Sequence, residues 1–227
     1  PTNVAAQTGT TSIGLTWAAN AESDIAGYKI YYDTDQSGYP YANSVDVSNV
    51  TTYNLTGLNT GSPYYIAVTT YDTDGNESWY SAEAQATPEP DTLNVPVSYT
   101  TIQSALTAAS EGDVVFVQPG TYTENIIWPE TNGIKLISAG DSSNTIIDGG
   151  GVSSVIYMNP QTATIDTTTL IQGFKITNGG SVGVGGGLII MNSGINISKC
   201  EINQNQSNSK GGGIYFENSI SNIFKTG

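Results

Sequence analysis

The chain has 227 residues, with twenty acidic side chains against six basic ones, no histidine and a formal net charge of −14. That length suits one large or two ordinary domains, and so acidic a surface repels phosphate backbones and anionic lipid, which argues against nucleic acid and membrane partners. No apolar run approaches the roughly 20 residues of a membrane span, and the single cysteine, Cys200, leaves no intramolecular disulfide.

Residues 1–88 read as short strands. Ile13, Leu15 and Trp17 alternate with small polar residues, as do Tyr28, Ile30 and Tyr32, then Tyr64, Ile66 and Val68. Strict alternation is the pattern of a half-buried strand. Turn clusters lie between these runs, at Asn20 to Asp24, Asp33 to Gly38 and Asp72 to Asn76. About seven strands at this spacing predict a β-sandwich.

Leu15-Thr-Trp17, Asp24-Ile-Ala-Gly-Tyr28, Leu55-Thr-Gly-Leu58 followed by Tyr64, and Asp72 to Ser78 together resemble a bacterial fibronectin type III domain over 1–88. The resemblance implies that Trp17 is a core residue. It also implies that Leu58 and Tyr64 form a tyrosine corner, in which the phenol bonds to nearby backbone. Spacer, adhesive and carbohydrate-enzyme companion roles are all implied by it.

Residues 89–96 read as a linker, stiffened by prolines in Thr87-Pro-Glu-Pro-Asp91. A helix follows, with Thr100 and Gln103 as its capping box, Ile102, Leu106 and Ala109 on one face, and Glu111-Gly112 as its end. Val95 to Glu124 resembles the N-terminal cap and first coil of right-handed parallel β-helix proteins of the pectin-lyase-like class. The resemblance extends to the end of the chain. It implies a solenoid over 97–227 of about four coils, with the helix plugging its open end.

The strongest sign of coils is a repeat at an offset of 26 residues. Ile171-Gln-Gly-Phe174-Lys-Ile176 lines up with Ile197-Ser-Lys-Cys200-Glu-Ile202, Gly185 to Gly187 with Gly211 to Gly213, and Asn192-Ser193 with Asn218-Ser219. Periodicity of this length marks stacked units. Ile171, Phe174 and Ile176 are expected to point inward, the asparagines to form an amide ladder, and the glycines to make corners at positive φ. Cys200 then lies in the core as an unreactive thiol. Lys175 and Glu201, one offset apart, are expected to pair on the outer face. A chain that starts at Pro1 implies removal of an upstream segment, and one that stops at Gly227 partway through a coil implies a fragment or an edge open to self-association.

No catalytic residues are assigned. Enzymes of the resembled β-helix class use Asp, Lys, Arg or His on their middle coils, often with calcium, and the solenoid acids at 113, 124, 130, 141, 148, 166, 201 and 217 share no repeat position. Calcium is the candidate cofactor. Asp33-Thr-Asp35-Gln-Ser-Gly38 copies the start of a calcium loop but lacks the closing glutamate at Ser44. Asp72, Asp74, Asn76 and Glu77 form a second oxygen-rich turn expected near Glu22 and Asp24. Tyr39, Tyr41, Trp79 and Tyr80 flank turns and could stack on sugars or on a protein partner. The sequence as a whole predicts an all-β, extracellular, structural, adhesive or assembly segment. The alternatives are the N-terminal part of a polysaccharide lyase, epimerase or hydrolase with its site farther along, and a filament subunit joined through the solenoid edge. The expected partners are a polysaccharide, a cell-surface protein or a second copy.

Overall fold

A computed structural model describes residues 1–35, 37–181 and 183–224, and the chain divides into two compact units, Pro1–Pro90 and Asp91–Gly227. Gln36, inside the first calcium-like loop, and Lys225 to Gly227 lie outside the described residues.

The first unit is a sandwich of two antiparallel sheets. Thr2–Thr8, Ser12–Ala18 and Thr52–Thr56 make one. The other runs in the order Asn43–Asp46, Ile25–Asp33, Tyr64–Asp72, Ala84–Ala86. The alternation read from the sequence decides which side chains meet between them. Ile13, Leu15 and Trp17 from one sheet pack on Tyr28, Ile30, Tyr64, Ile66 and Val68 from the other. Each such burial stabilises the fold by about 1.5–3 kcal/mol. The rings of Trp17 and Tyr28 lie 5.5 Å apart. The Tyr64 hydroxyl accepts the Asn59 N–H at 2.9 Å, which is the tyrosine corner.

The second unit is a parallel β-solenoid. Its three long sheets run along the coil axis, and four coils contribute a strand to each of them. Thr92–Val95 and Ile220–Phe224 add one strand at either end of the first sheet, bringing the stack to about five turns. The stretch 89–96, expected to be a proline-stiffened linker, includes the strand Thr92–Val95, which pairs in parallel with Val114–Val117 and buries Leu93 and Val95 in the solenoid core. Its alternation is too short to stand out beside two prolines.

Among the described residues the α-helix is Ile102–Ala108, shorter than its sequence suggested. Thr101 is the N-cap and Ser104 completes the capping box, one residue later than expected. Gln103 is unavailable for capping because its side chain spans to the first coil. Its Oε1 accepts the Ile127 N–H at 2.7 Å, and its Nε2 donates to the Ile127 carbonyl at 3.0 Å. The amide thus pairs with strand backbone that would otherwise face water. Glu124 supplies the remaining cap, accepting from the N–H groups of Ile102 and Gln103 at 2.9 Å each. Ile102, Ala105 and Leu106 are buried against Leu93, Val95, Val115 and Val117.

The 26-residue offset is the coil repeat. Ile171 pairs with Ile197 and then Ile223, and Ile176 with Ile202. Ile171, Phe174 and Ile176 are fully buried, and the Cys200 thiol is half-buried one coil on from Phe174. Burial pushes that thiol above its ordinary pKa, which disfavours the reactive thiolate. Lys175 and Glu201 are register partners, but no ion pair joins them among the described residues. Glu201 instead accepts from the Asn203 amide two residues on.

Candidate functional site: an aromatic cleft on the sandwich

The face of the second sheet turned away from the sandwich core carries the alternate residues Lys29, Tyr31 and Thr69. Lys29 sits opposite Thr69 in the register, and Tyr31 opposite Ala67. Alongside runs 77–81, which follows the strand without forming a regular ladder. The N–H groups of Ser78 and Ser81 donate to the carbonyls of Thr70 and Val68. In return the hydroxyls of Ser78 and Ser81 accept from the N–H groups of Thr70 and Val68, each at 3.0 Å. Serine oxygens thus replace backbone acceptors at both ends of this stretch, and Trp79 and Tyr80 bulge out between them. Trp79 is 91 % exposed.

The opposite wall comes from the loop after Asp33, through Gly38, Tyr39 and Tyr41. Walls and floor enclose an open cleft of about 800 Å³. Tyr80 is the hub of the aromatic group. It meets Tyr31 edge-on with centroids 5.0 Å apart, Tyr41 at 5.4 Å and Tyr39 at 5.6 Å. Tyr39 is 73 % exposed. The cleft therefore offers two wet aromatic surfaces, Trp79 and Tyr39, the latter braced by the Tyr80 ring.

Two carboxylates supply its polarity. Glu77 accepts from Lys29 Nζ at 2.7 Å, Tyr31 Oη at 2.7 Å and Thr69 Oγ1 at 2.6 Å. Burial alone would raise its pKa, but these three donors outweigh burial and hold it below the usual range. Glu83 accepts from Tyr41 Oη at 2.8 Å and from the Gly38 N–H, so it ties the loop to the sheet edge. Burial first, and donation to these carboxylates second, raise the hydroxyl pKa of both Tyr31 and Tyr41. Among the described residues that line the cleft there is no lysine, although Lys29 reaches Glu77 from the adjoining face.

The calcium candidates fall in two places. The turn of Asp72 does adjoin that of Asp24, since the Thr73 N–H donates to the Asp24 carbonyl at 3.0 Å. Asp72, however, accepts from the N–H groups of Asp74 and Asn76 and from the Asn76 side chain, all at 2.8–2.9 Å, as an Asx turn does. Glu77 is drawn away onto the sheet face by Lys29, Tyr31 and Thr69. Among the described residues no three acidic or thiol side chains gather into a cage for a metal. At the other loop, Asp33 is 4 % exposed and Asp35 is exposed.

In the solenoid, most acidic side chains bond to backbone. Asp113 accepts from Asp91 and Ser110, Glu124 caps the helix, and Glu130 holds the three N–H groups of Gln161 to Ala163. Asp141, Asp148 and Asp166 each close a turn onto the N–H two residues on.

Sequence reasoning picked out Tyr39, Tyr41, Trp79 and Tyr80 but missed Tyr31 and Glu83. Tyr31 was legible, because the alternation that sends Tyr28 and Ile30 inward sends Tyr31 out onto the same face as Lys29. Glu83 carries no local signal, since its partner Gly38 is 45 residues away.

Residues 1–87 match the fibronectin type III domain family. That stretch of the chain is a fibronectin type III domain. The solved structures similar to the chain include an Fn3-like protein from Clostridium thermocellum, 34 % identical with a TM-score of 0.32, over 37 % of this chain and 86 % of that one. The FN1–FN3 domains of chicken CNTN1 are 22 % identical with a TM-score of 0.35, over 38 % of this chain and 29 % of that one. The family 28 exopolygalacturonase of Yersinia enterocolitica is 17 % identical with a TM-score of 0.35, over 83 % of this chain and 41 % of its own. This chain thus spans well under half of CNTN1 FN1–FN3 and of the exopolygalacturonase. No curated protein matches the chain. The fibronectin type III domain is followed by a parallel β-solenoid, and no helix among the described residues is long and apolar enough to cross a membrane.

Proposed function

We propose that this is a non-catalytic adhesive segment of an extracellular protein, which holds a neutral polysaccharide in the aromatic cleft of its fibronectin type III domain and uses the solenoid as a stiff carrier. The observation that carries this reading is the pair of exposed rings, Tyr39 and Trp79, set on either side of a cleft that also contains Glu77 and Glu83. Aromatic faces stack on the C–H faces of sugars, and carboxylates accept from their hydroxyls, so the cleft has both halves of a sugar site. Charge selects among sugars. Lys29 offsets the charge of Glu77, so Glu83 and the net charge of −14 on the chain are what repel an acidic polymer and not a neutral one. A scaffold role for the solenoid is supported by its acids, most of which are spent on backbone N–H groups.

Affinity electrophoresis through gels containing neutral or acidic polysaccharides tests the reading. A neutral polymer is expected to retard the protein, and Trp79→Ala to weaken binding roughly tenfold, about 1.4 kcal/mol. Binding unaffected by Trp79→Ala and Tyr39→Ala together, or preference for an acidic polymer, sinks it.

A further inference from the structure

The stretch that carries Trp79 and Tyr80 is longer than the strand it follows. Glu77 faces Tyr71 in an antiparallel bridge, and Ala84 faces Ile66 farther along. From Tyr71 to Ile66 the inner strand advances five residues, while from Glu77 to Ala84 the edge advances seven. Two surplus residues have to leave the ladder, as in a β-bulge, and a bulge re-aims the side chains it carries. Neighbours in a regular strand point to opposite faces. Here the neighbours Trp79 and Tyr80 both line the cleft, and Tyr80 meets Tyr31 edge-on at 5.0 Å.

Two serines hold the surplus. The Ser78 N–H donates to the Thr70 carbonyl at 2.8 Å, and its Oγ accepts the Thr70 N–H at 3.0 Å. Ser81 treats Val68 in the same way, at 2.9 and 3.0 Å. Each hydroxyl gives its own proton to the chain beside it, Ser78 to the Trp79 carbonyl at 2.9 Å and Ser81 to the Ala82 carbonyl at 2.8 Å. A serine hydroxyl has one proton to donate, so both are fully engaged. Thr70 and Val68 are buried, and a buried N–H needs a protein partner. We propose that Ser78 and Ser81 are the positioning residues of the cleft: by taking over these two N–H groups they hold the bulge in one conformation and present Trp79 and Tyr80 before a sugar arrives. Rings fixed in advance lose less freedom on binding, which raises affinity without any new contact. The effect of the serines on affinity rests on the polysaccharide reading, and their hold on the bulge does not.

Three readouts on the full chain test this: amide hydrogen exchange, the heteronuclear NOE of the Trp79 indole N–H, and retardation in a gel of neutral polysaccharide. Ser78→Ala is expected to speed exchange at Thr70, and Ser81→Ala at Val68, each roughly tenfold. In the double variant the Trp79 NOE should fall, and binding should weaken roughly tenfold although every ring is still present. Ser78→Thr and Ser81→Thr keep the oxygen and should restore all three readouts toward wild type. Tyr64→Phe, which removes the tyrosine-corner bond elsewhere in the domain, should lower melting but leave the Trp79 NOE and retardation unchanged. That contrast separates positioning from general loss of stability. Should the double variant fail to fold, the single variants carry the same test. Unchanged exchange at both amides overturns the proposal, and so does an indole already mobile in wild type. Full retardation of a double variant whose indole has become mobile overturns it too, as does a Tyr64→Phe protein that behaves like the double variant. A wild-type protein that no polysaccharide retards sinks the sugar reading alone, because exchange and NOE still decide whether the serines hold the bulge.

Discussion

Asn218 donates its side-chain amide to Oδ1 of Asn192 at 3.4 Å, although 26 residues separate the two in sequence. Asn192 in turn donates to Oδ1 of Asn159 at 3.0 Å. Both Asn192 and Asn218 sit in the left-handed region, at φ 52° and 49°. Asparagine serves two purposes here. It tolerates a backbone that costs most residues roughly 1–2 kcal/mol, and it links coil to coil through its amide. The two contributions are separable. Asn192→Gly keeps the backbone and loses the bonds, whereas Asn192→Ala loses both. Urea unfolding is expected to rank them wild type, then Gly, then Ala, with Ala about 1–3 kcal/mol below wild type.

Glu77 is the polar anchor of the cleft floor. Its Ala variant strands the Thr69 hydroxyl, which is 1 % exposed, along with Lys29 and Tyr31. A buried donor left unpaired costs about 1–3 kcal/mol, whereas an exposed ion pair contributes under about 1 kcal/mol. Glu77→Ala should therefore lower the melting temperature clearly more than Lys29→Ala. Equal effects would mean that the ion pair, rather than the hydroxyl donors, holds the carboxylate.

The solenoid was legible because its repeat shows in sequence the same residues that touch in space, as with Ile171, Ile197 and Ile223. The sandwich was legible through period-two alternation and the Leu58–Tyr64 spacing. Features that depend on partners distant in sequence were not legible. Gln103 looked like a capping residue because nothing local reveals that Ile127 will take its amide. Glu77 looked like a member of the Asp72 turn because Lys29 and Tyr31, 48 and 46 residues away, claim it only in the folded sheet. Thr92–Val95 looked like a linker because its strand partner comes after the helix.

The glycine corners show a finer gap between pattern and cause. Expecting positive φ throughout was right only for the first glycine of each triplet, Gly185 at 64° and Gly211 at 63°. Gly186 is glycine for want of space. A Cβ there would lie 2.6 Å from the Gly212 carbonyl oxygen and closer still to that of Gln206. Both obstacles are backbone of the next coil and cannot swing aside. Gly186→Ala should thus disrupt stacking and cost several kcal/mol, seen as a lower urea midpoint for the solenoid or as insoluble protein. Gly14→Ala is the control in the sandwich. Its Cβ meets only the Gln7 carbonyl at 3.8 Å, an ordinary contact, and its φ is not positive. It should be neutral or slightly stabilising.

Glu130 offers a pH-dependent contact that can be read directly. Its carboxylate accepts from the N–H groups of Gln161, Thr162 and Ala163 at 2.9, 3.0 and 3.2 Å, and from the Thr162 hydroxyl. That hydroxyl leads the causes that draw the pKa from 4.5 down to about 2, with the N–H groups adding to it. A carboxyl depressed on folding contributes stability that is complete above its unfolded value and fades as pH falls toward its folded one. The clamp on 161–163 should hold at pH 6 and loosen between about pH 4.5 and pH 2. Because the carboxylate is solvated, the readout is local opening, by amide hydrogen exchange corrected for the intrinsic pH dependence of the chemistry. Protection at 161–163 is expected to fall through that window in wild type. In Glu130→Gln, which cannot titrate, it should be low and flat across the same range. Parallel profiles in the two proteins would show that the three N–H groups are held by the loop itself and owe nothing to the carboxylate's charge.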